Sequence, residues 1–284
     1  MKKGVIVASF GTTHEDTRKK TIDVIENDIK NTYKDSIILR AWTSDIIRAK
    51  LKKRHNVHIN DIKEAIEEAL WLGVDDLLII STHIMDGIEN NKVKEVAASY
   101  KDKFSRIRMG NALLESDEDF EYLIKELDSL YEKEDGAAYL LMGHGSDHES
   151  NKIYELLRNR FAECGRDDIY IACVEGYPYL EDVLPQLSGY KTVHLSPFMI
   201  VAGDHAKNDM AVTYKNELEE NGFKVNQVIL KGLGEFDAIQ NIFLITGLFQ
   251  LSVNLVSVFK ELYCSLLSYI PGRFIYVNTF FVII

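Results

Sequence analysis

The sequence predicts an α/β protein of two similar lobes, each a mostly parallel sheet flanked by helices. Three observations point there. Short β-branched runs alternate with segments of helical periodicity along most of the chain, as βα units require. That alternation restarts after the turn-forming Lys133-Glu134-Asp135-Gly136. Glycine-containing loops also recur at matching places on either side of that point, the mark of an internal repeat.

The elements are expected in this order. Val5–Phe10 is a strand, followed by a helix over Glu15–Lys30 with Thr17, Thr21, Val24, Ile25 and Ile29 at helical spacing. Ile37–Trp42 is a strand, and Asp61–Leu72 is a helix with Ile62, Ala65, Ile66, Ala69 and Leu70 on one face. Leu77–Ser81, Lys92–Phe104, Ile107–Gly110 and Ser116–Tyr131 follow as strand, helix, strand and helix, with Ser116 as the last helix's N-cap. Beyond the turn, strands are expected at Ala138–Met142, Ile169–Val174, Thr192–Ser196 and Lys224–Ile229. Helices are expected at Glu149–Phe161, Leu180–Leu187 and His205–Glu220. The resulting division is an N-terminal lobe over residues 1–135, a C-terminal lobe over 136–241, and an apolar tail over 242–284.

Composition narrows the function classes. The chain has 284 residues, 46% hydrophobic and 27% charged, which is globular and long enough for two lobes. A formal net charge of -11 argues against nucleic-acid binding, which draws on Lys and Arg against phosphate. It argues equally against docking on an anionic membrane. Cys164, Cys173 and Cys264 form neither a CxxC pair nor an even framework, so a reduced, cytoplasmic setting is expected. The apolar run Val5–Ala8 is too short for a secretory signal. After Asp237 the only charges are Lys260, Glu261 and Arg273, and Ile242 to Phe259 is uncharged and of membrane-spanning length. Thr246, Gln250, Ser252, Asn254 and Ser257 dilute it. A buried terminal helix, or a terminus replaced through a shifted reading frame, accounts for it better than a membrane anchor.

Functional groups in open α/β sheets gather beyond the carboxyl ends of the strands. His144 and His205 both fall there, each on a glycine loop ahead of a helix. Imidazole serves near neutral pH as a base and as a ligand for Co, Ni, Fe or Zn. Aligning Gly11 with Gly145 sets Phe10 opposite His144. Aligning the loops after the later strands sets Glu89 opposite His205. Glu175 is a strand-end carboxylate at the same edge. Each has a plainer alternative. His144 could fix a tight turn, His205 could be an exposed helix residue beside an Asp204 cap, and Glu89 or Glu175 could be a solvated carboxylate. His14, His83 and His148 near this edge read as structural or solvent-facing, and His194 as a core residue. His55 and His58 read as solvated in the basic turn after Lys52-Lys53-Arg54. No GxGxxG, phosphate-binding loop, GxSxG or four-ligand zinc knuckle is present.

Met142-Gly143-His144-Gly145 and the run Val201-Ala202-Gly203-Asp204-His205-Ala206-Lys207-Asn208-Asp209-Met210-Ala211 carry a family likeness. Supporting matches are Ser9-Phe10-Gly11-Thr12, Thr43-Ser44, His83-Ile84 with Glu89, Glu175 with Tyr177-Pro178, and Gly232-Leu233-Gly234-Glu235. In these the chain resembles the anaerobic sirohydrochlorin cobaltochelatases of the CbiK type, within the class II tetrapyrrole chelatases. The resemblance implies a chelatase-like pair of lobes with a cleft between them for a macrocyclic tetrapyrrole. It implies insertion of Co²⁺ into sirohydrochlorin in anaerobic cobalamin (corrin) synthesis. His144, Glu175 and His205 would hold the metal, with His144 and Glu89 catalytic and Ser9, Phe10, Gly11 and Thr12 at the macrocycle. The partners implied are sirohydrochlorin and a divalent metal, with no nucleotide or redox cofactor. Insertion of Fe²⁺ or Ni²⁺ into the same ring, or carriage without turnover, stays open at this stage, as does a homo-oligomer. Because the substrate carries many carboxylates and the chain is acidic, Arg40, Arg48 or Lys207 is expected to steer it. The family ends in a charged amphipathic helix, from which the residues after Phe243 depart.

Overall fold

The structure, a computed structural model, describes residues 1–251. Among the described residues, eight strands form two four-stranded, wholly parallel sheets. The N-terminal sheet contains β1 (Lys3–Ser9), β2 (Ser36–Trp42), β3 (Asp76–Ser81) and β4 (Arg106–Met109), in the order β2-β1-β3-β4. The C-terminal sheet contains β5 (Ala137–Gly143), β6 (Ile169–Cys173), β7 (Thr192–Pro197) and β8 (Lys224–Val228), in the order β6-β5-β7-β8. The two orders are the same, as a repeat requires. In each, the chain leaves its first strand to one side and then returns to the other, creating a switch point between β1 and β3 and another between β5 and β7.

Strand alternation builds the layers. Val5, Val7, Leu78 and Ile80 point one way, into the same apolar cluster as Tyr139, Leu141, Ile169 and Ile171 of the other sheet. Ile6, Ala8, Leu77 and Ile79 point the other way, into a cluster with Ile62, Ala65, Ile66 and Ala69. On the C-terminal sheet Ala138, Leu140 and Met142 face Leu180, Val183, Ala206 and Met210. The period of two along each strand thus sorts residues between a shared central layer and two outer layers.

The helices follow the expected pattern with instructive exceptions. The first helical stretch breaks at Thr21 (φ −125°, ψ −86°) into α1 (Glu15–Lys20) and α2 (Ile22–Thr32). A helix not foreseen, α3 (Asp45–His55), follows β2. Ser44 caps it by accepting from the Ile47 amide, and Asn56 closes it in the left-handed conformation. The Lys52–His55 stretch, read as a basic turn, is this helix's last turn, where positive charge suits the helix dipole. Its one buried residue, Leu51, gives no apolar stripe to read. Then come α4 (Ile62–Trp71), α5 (Ile88–Ser99), α6 (Asp117–Leu130, capped by Ser116) and α7 (Ile153–Glu163). The expected Leu180–Leu187 helix divides into α8 (Leu180–Val183) and a 3₁₀ segment (Leu184–Gly189). The expected His205–Glu220 helix is π-helical over His205–Tyr214 before continuing as α9 (Lys215–Glu220).

A single helix, α10 (Asp237–Leu251), runs through the position where the apolar tail was expected to begin. Ile239, Ile242 and Phe243 are buried in the central layer, and Gly247 lies against Ile80 and Tyr33. The first ten residues of the apolar run are therefore helical, and Ile242 and Phe243 among them belong to the core. The rest of that run, including Cys264, lies outside the described residues. Among the described residues no helix is long and apolar enough to cross a membrane.

Phe243 shows no exposed surface. Phe243→Ala is expected to lower unfolding free energy by about 3–5 kcal/mol, measured by urea denaturation; an unchanged midpoint would mean that α10 does not belong to the fold.

Candidate metal centre

The C-terminal switch point is where the site assembles. His144 follows β5 directly, Glu175 lies two residues past β6, and His205 opens the π-helix reached from β7. Strand order alone therefore brings three distant stretches of chain to one edge.

Local contacts hold each stretch in place. The Glu175 amide donates to the His144 carbonyl (2.7 Å), and the Val174 amide to that of Gly143 (3.2 Å). Gly145 has φ +81°, and a Cβ there would stand 2.6 Å from the Gly176 nitrogen. Glycine at 145 thus serves both an αL turn and a close approach of two backbones. The loop before His205 is braced from below, where the Leu233 and Gly234 amides donate to the carbonyls of Met199 (2.7 Å) and Ile200 (3.0 Å). A Cβ at 232 would lie 2.5 Å from the Ile200 oxygen, which explains the glycines of Gly232-Leu233-Gly234-Glu235.

The His144 and His205 rings meet edge to face, with centroids 4.9 Å apart. His144, Glu175 and His205 each offer a ligand atom within 4.8 Å of the other two. Glu175 Oε2 stands 3.8 Å from His144 Nδ1. All three side chains are partly open to solvent. The second ring positions are already used. His144 Nδ1 lies 3.0 Å from the Gly145 carbonyl, and His205 Nδ1 lies 2.7 Å from Asp209 Oδ2. Both oxygens accept, so Nδ1 is the donor in each bond, and in a neutral ring Nε2 keeps its lone pair. Two imidazoles and a carboxylate form an open donor set for a divalent transition metal.

A neighbouring pair ties the halves together. His14 Nε2, ahead of α1, donates to Asp204 Oδ1 at 2.7 Å, and this bond holds the Asp204 carboxyl below its ordinary pKa. Asp204 is thus no helix cap, one of the alternatives the sequence allowed.

The family model for cobalt chelatase (CbiK) matches residues 3–247. The chain belongs to the cobalt chelatase family. It is 33% identical to the sirohydrochlorin cobaltochelatase of Salmonella typhimurium (strain LT2), a match covering 86% of this chain and 94% of that one. It is 28% identical to the sirohydrochlorin cobaltochelatase CbiKC of Nitratidesulfovibrio vulgaris (strain Hildenborough), over 86% and 88% of the two chains. SirB from Bacillus subtilis with Fe³⁺ shares the fold, with a TM-score of 0.61, 13% identity, and 87% and 96% of the two chains covered.

In this family member the other sequence-selected residues separate clearly. Phe10 is 43% exposed, and its ring centroid lies 6.3 Å from that of His144. Its neighbours turn inward. Ser9 accepts from the Thr82 hydroxyl, Gly11 packs on the Trp42 ring, and Thr12 accepts from the His14 amide. Of the Ser9–Thr12 side chains, only that of Phe10 is exposed. Glu89 lies outside the three-residue group, on the first turn of α5, with Oε2 enclosed and unpartnered. Arg40 is bound by Glu26 and Asp23, and Arg48 by Asp45 with Asp61 and Glu64 nearby. Neither has a free charge for steering, whereas Lys207 is exposed on the π-helix. Asp209 was missed, although its spacing four residues after His205 on a helix was a readable signal.

His83 is structural. Its Nδ1 meets the Ser81 hydroxyl (2.8 Å) and its Nε2 that of Thr43 (3.1 Å). His194 is fully buried, with Nε2 3.1 Å from Glu134. His148 caps a short 3₁₀ turn, and His55 and His58 are exposed.

Burial pushes the His83 imidazole down to about 4 from 6.5. The unfolded chain therefore takes up this proton first, and stability is fully present above pH 6.5. It falls by up to roughly 1.4 kcal/mol per pH unit down to about pH 4. His83→Gln should lose less stability than the parent between pH 7 and 5 in urea titrations; equal losses would remove His83 as a cause of acid sensitivity.

Proposed function

We propose that this chain is a sirohydrochlorin cobaltochelatase, an enzyme that inserts Co²⁺ into sirohydrochlorin for corrin synthesis, with the ion as substrate. Family membership across nearly the whole fold, together with the named activity of relatives spanned almost end to end, supports the reaction. The observation that carries the residue assignment is the His144–His205 pair at 4.9 Å, with Glu175 beside it.

In this reading Nε2 of His144 and Nε2 of His205 hold the arriving ion, and the Glu175 carboxylate offsets part of its charge. Their solvent exposure lets a broad, flat ring come close to the same ion. Phe10 lies against His144 and offers an aromatic face to one side of the macrocycle. Lys207 supplies local positive charge for the ring's carboxylates.

Metallation must release two pyrrolic protons as one dication enters, so total charge is conserved. Each imidazole here has a single lone pair free, which can hold the ion or a proton but not both. His144 therefore acts as ligand first and as base only once the ion has moved to the ring. Glu89, with an enclosed and unpartnered carboxylate oxygen, is the second acid–base group. No step calls for ATP or a redox cofactor. The setting is the cytoplasm, in keeping with the free cysteines Cys164 and Cys173.

Anaerobic assays with sirohydrochlorin and Co²⁺, following the absorbance change on metallation, test the function. The parent should insert Co²⁺ and His144→Ala should lose at least about 100-fold in rate, a loss of the size expected for a group in the reacting set. Bound ring with no acceleration would identify a carrier instead. Faster insertion of Fe²⁺ or Ni²⁺ would reassign the metal.

A further inference from the structure

We propose that Asp209 is a positioning residue that sets the tautomer and aim of the His205 ring, and so the grip of the site on its ion. This rests on the reading of His205 as a ligand. The bond from His205 Nδ1 to Asp209 Oδ2 is 2.7 Å, within the range of charge-assisted hydrogen bonds. Both residues lie on the same π-helix, so one rigid element fixes ligand and partner together. Among the described residues, no Lys or Arg pairs with Asp209; its ion-pair contact is His205 alone.

The two imidazoles are therefore held in different ways. His144 donates to a neutral backbone carbonyl, which no side-chain change can remove. His205 donates to a carboxylate, which also makes its Nε2 more electron-rich and a stronger donor. Without Asp209, the His205 ring could carry its proton on either nitrogen. In one of those tautomers Nε2 has no lone pair for the ion.

The experiment uses the full chain, titrated anaerobically with Co²⁺ alone and followed by the visible d–d bands, then assayed for insertion. Asp209→Ala should weaken Co²⁺ binding about 10–100-fold, alter the band shape, and raise KM for Co²⁺ more than it lowers kcat. Asp209→Asn keeps an oxygen that accepts from Nδ1, so it should restore the parent band shape with a severalfold loss of affinity. His205→Ala is the reference for loss of the ligand itself. If His205→Ala loses Co²⁺ while Asp209→Ala matches the parent in affinity and spectrum, Asp209 has no positioning role. If His205→Ala binds Co²⁺ like the parent, the ligand reading fails and takes this proposal with it. Should Asp209→Ala not fold by circular dichroism, Asp209→Asn decides: reduced affinity with an unchanged band shape supports the role, and unchanged affinity overturns it.

Discussion

The adjacency of β5 and β7 governs the site, because the chain regions leaving those two strands carry the two imidazoles. The order β6-β5-β7-β8 makes them neighbours although about sixty residues separate His144 from His205. Parallel pairing fixes their register from Ala137 opposite Thr192 to Met142 opposite Pro197, so both chains reach the same edge at nearly the same height. A slip of one residue would turn Leu140 and Leu141 to opposite layers and break two cores at once. The packing that stabilises the sheet is thus the same packing that aims the two imidazoles.

The repeated architecture is chemically lopsided. Phe10 stands after β1 as His144 stands after β5, and Glu89 falls in the first turn of the helix after β3 as His205 opens the helix after β7. One half supplies two imidazoles and the Glu175 carboxylate, and the other an aromatic ring and the Glu89 carboxylate. Bridges between halves, such as His14 with Asp204 and Met85 with Ser150, lie along this edge. A flat ring held at this edge would meet imidazoles from one half and an aromatic face from the other.

Much of this was legible in the sequence, for reasons that differ by element. Strands β1, β3, β5, β6 and β7 could be read because their apolar runs lie buried in parallel sheets. His144 and His205 could be read because glycine loops at strand ends leave a recognisable pattern. The helix α3 could not, since it holds itself by caps and terminal charges and buries only Leu51. The π-helical start after His205 was also hidden: its extra residue per turn leaves composition unchanged. Arg40 looked like a steering group because its partners Asp23 and Glu26 come from a different element, α2, which sequence proximity does not reveal. The apolar stretch left a buried terminal helix and a replaced terminus both open; Ile242 and Phe243 pack in the central layer on α10, and the residues past 251 lie outside the described residues.

In the proposed reading, His144, His205 and Glu175 share one divalent ion. A crystal of the full chain soaked in Co²⁺, with diffraction recorded at the cobalt absorption edge, tests it most directly. One strong anomalous peak is expected within bonding distance of Nε2 of both histidines and of a Glu175 carboxylate oxygen. A peak bound through neither imidazole, or two separate ions each held by one, would contradict it.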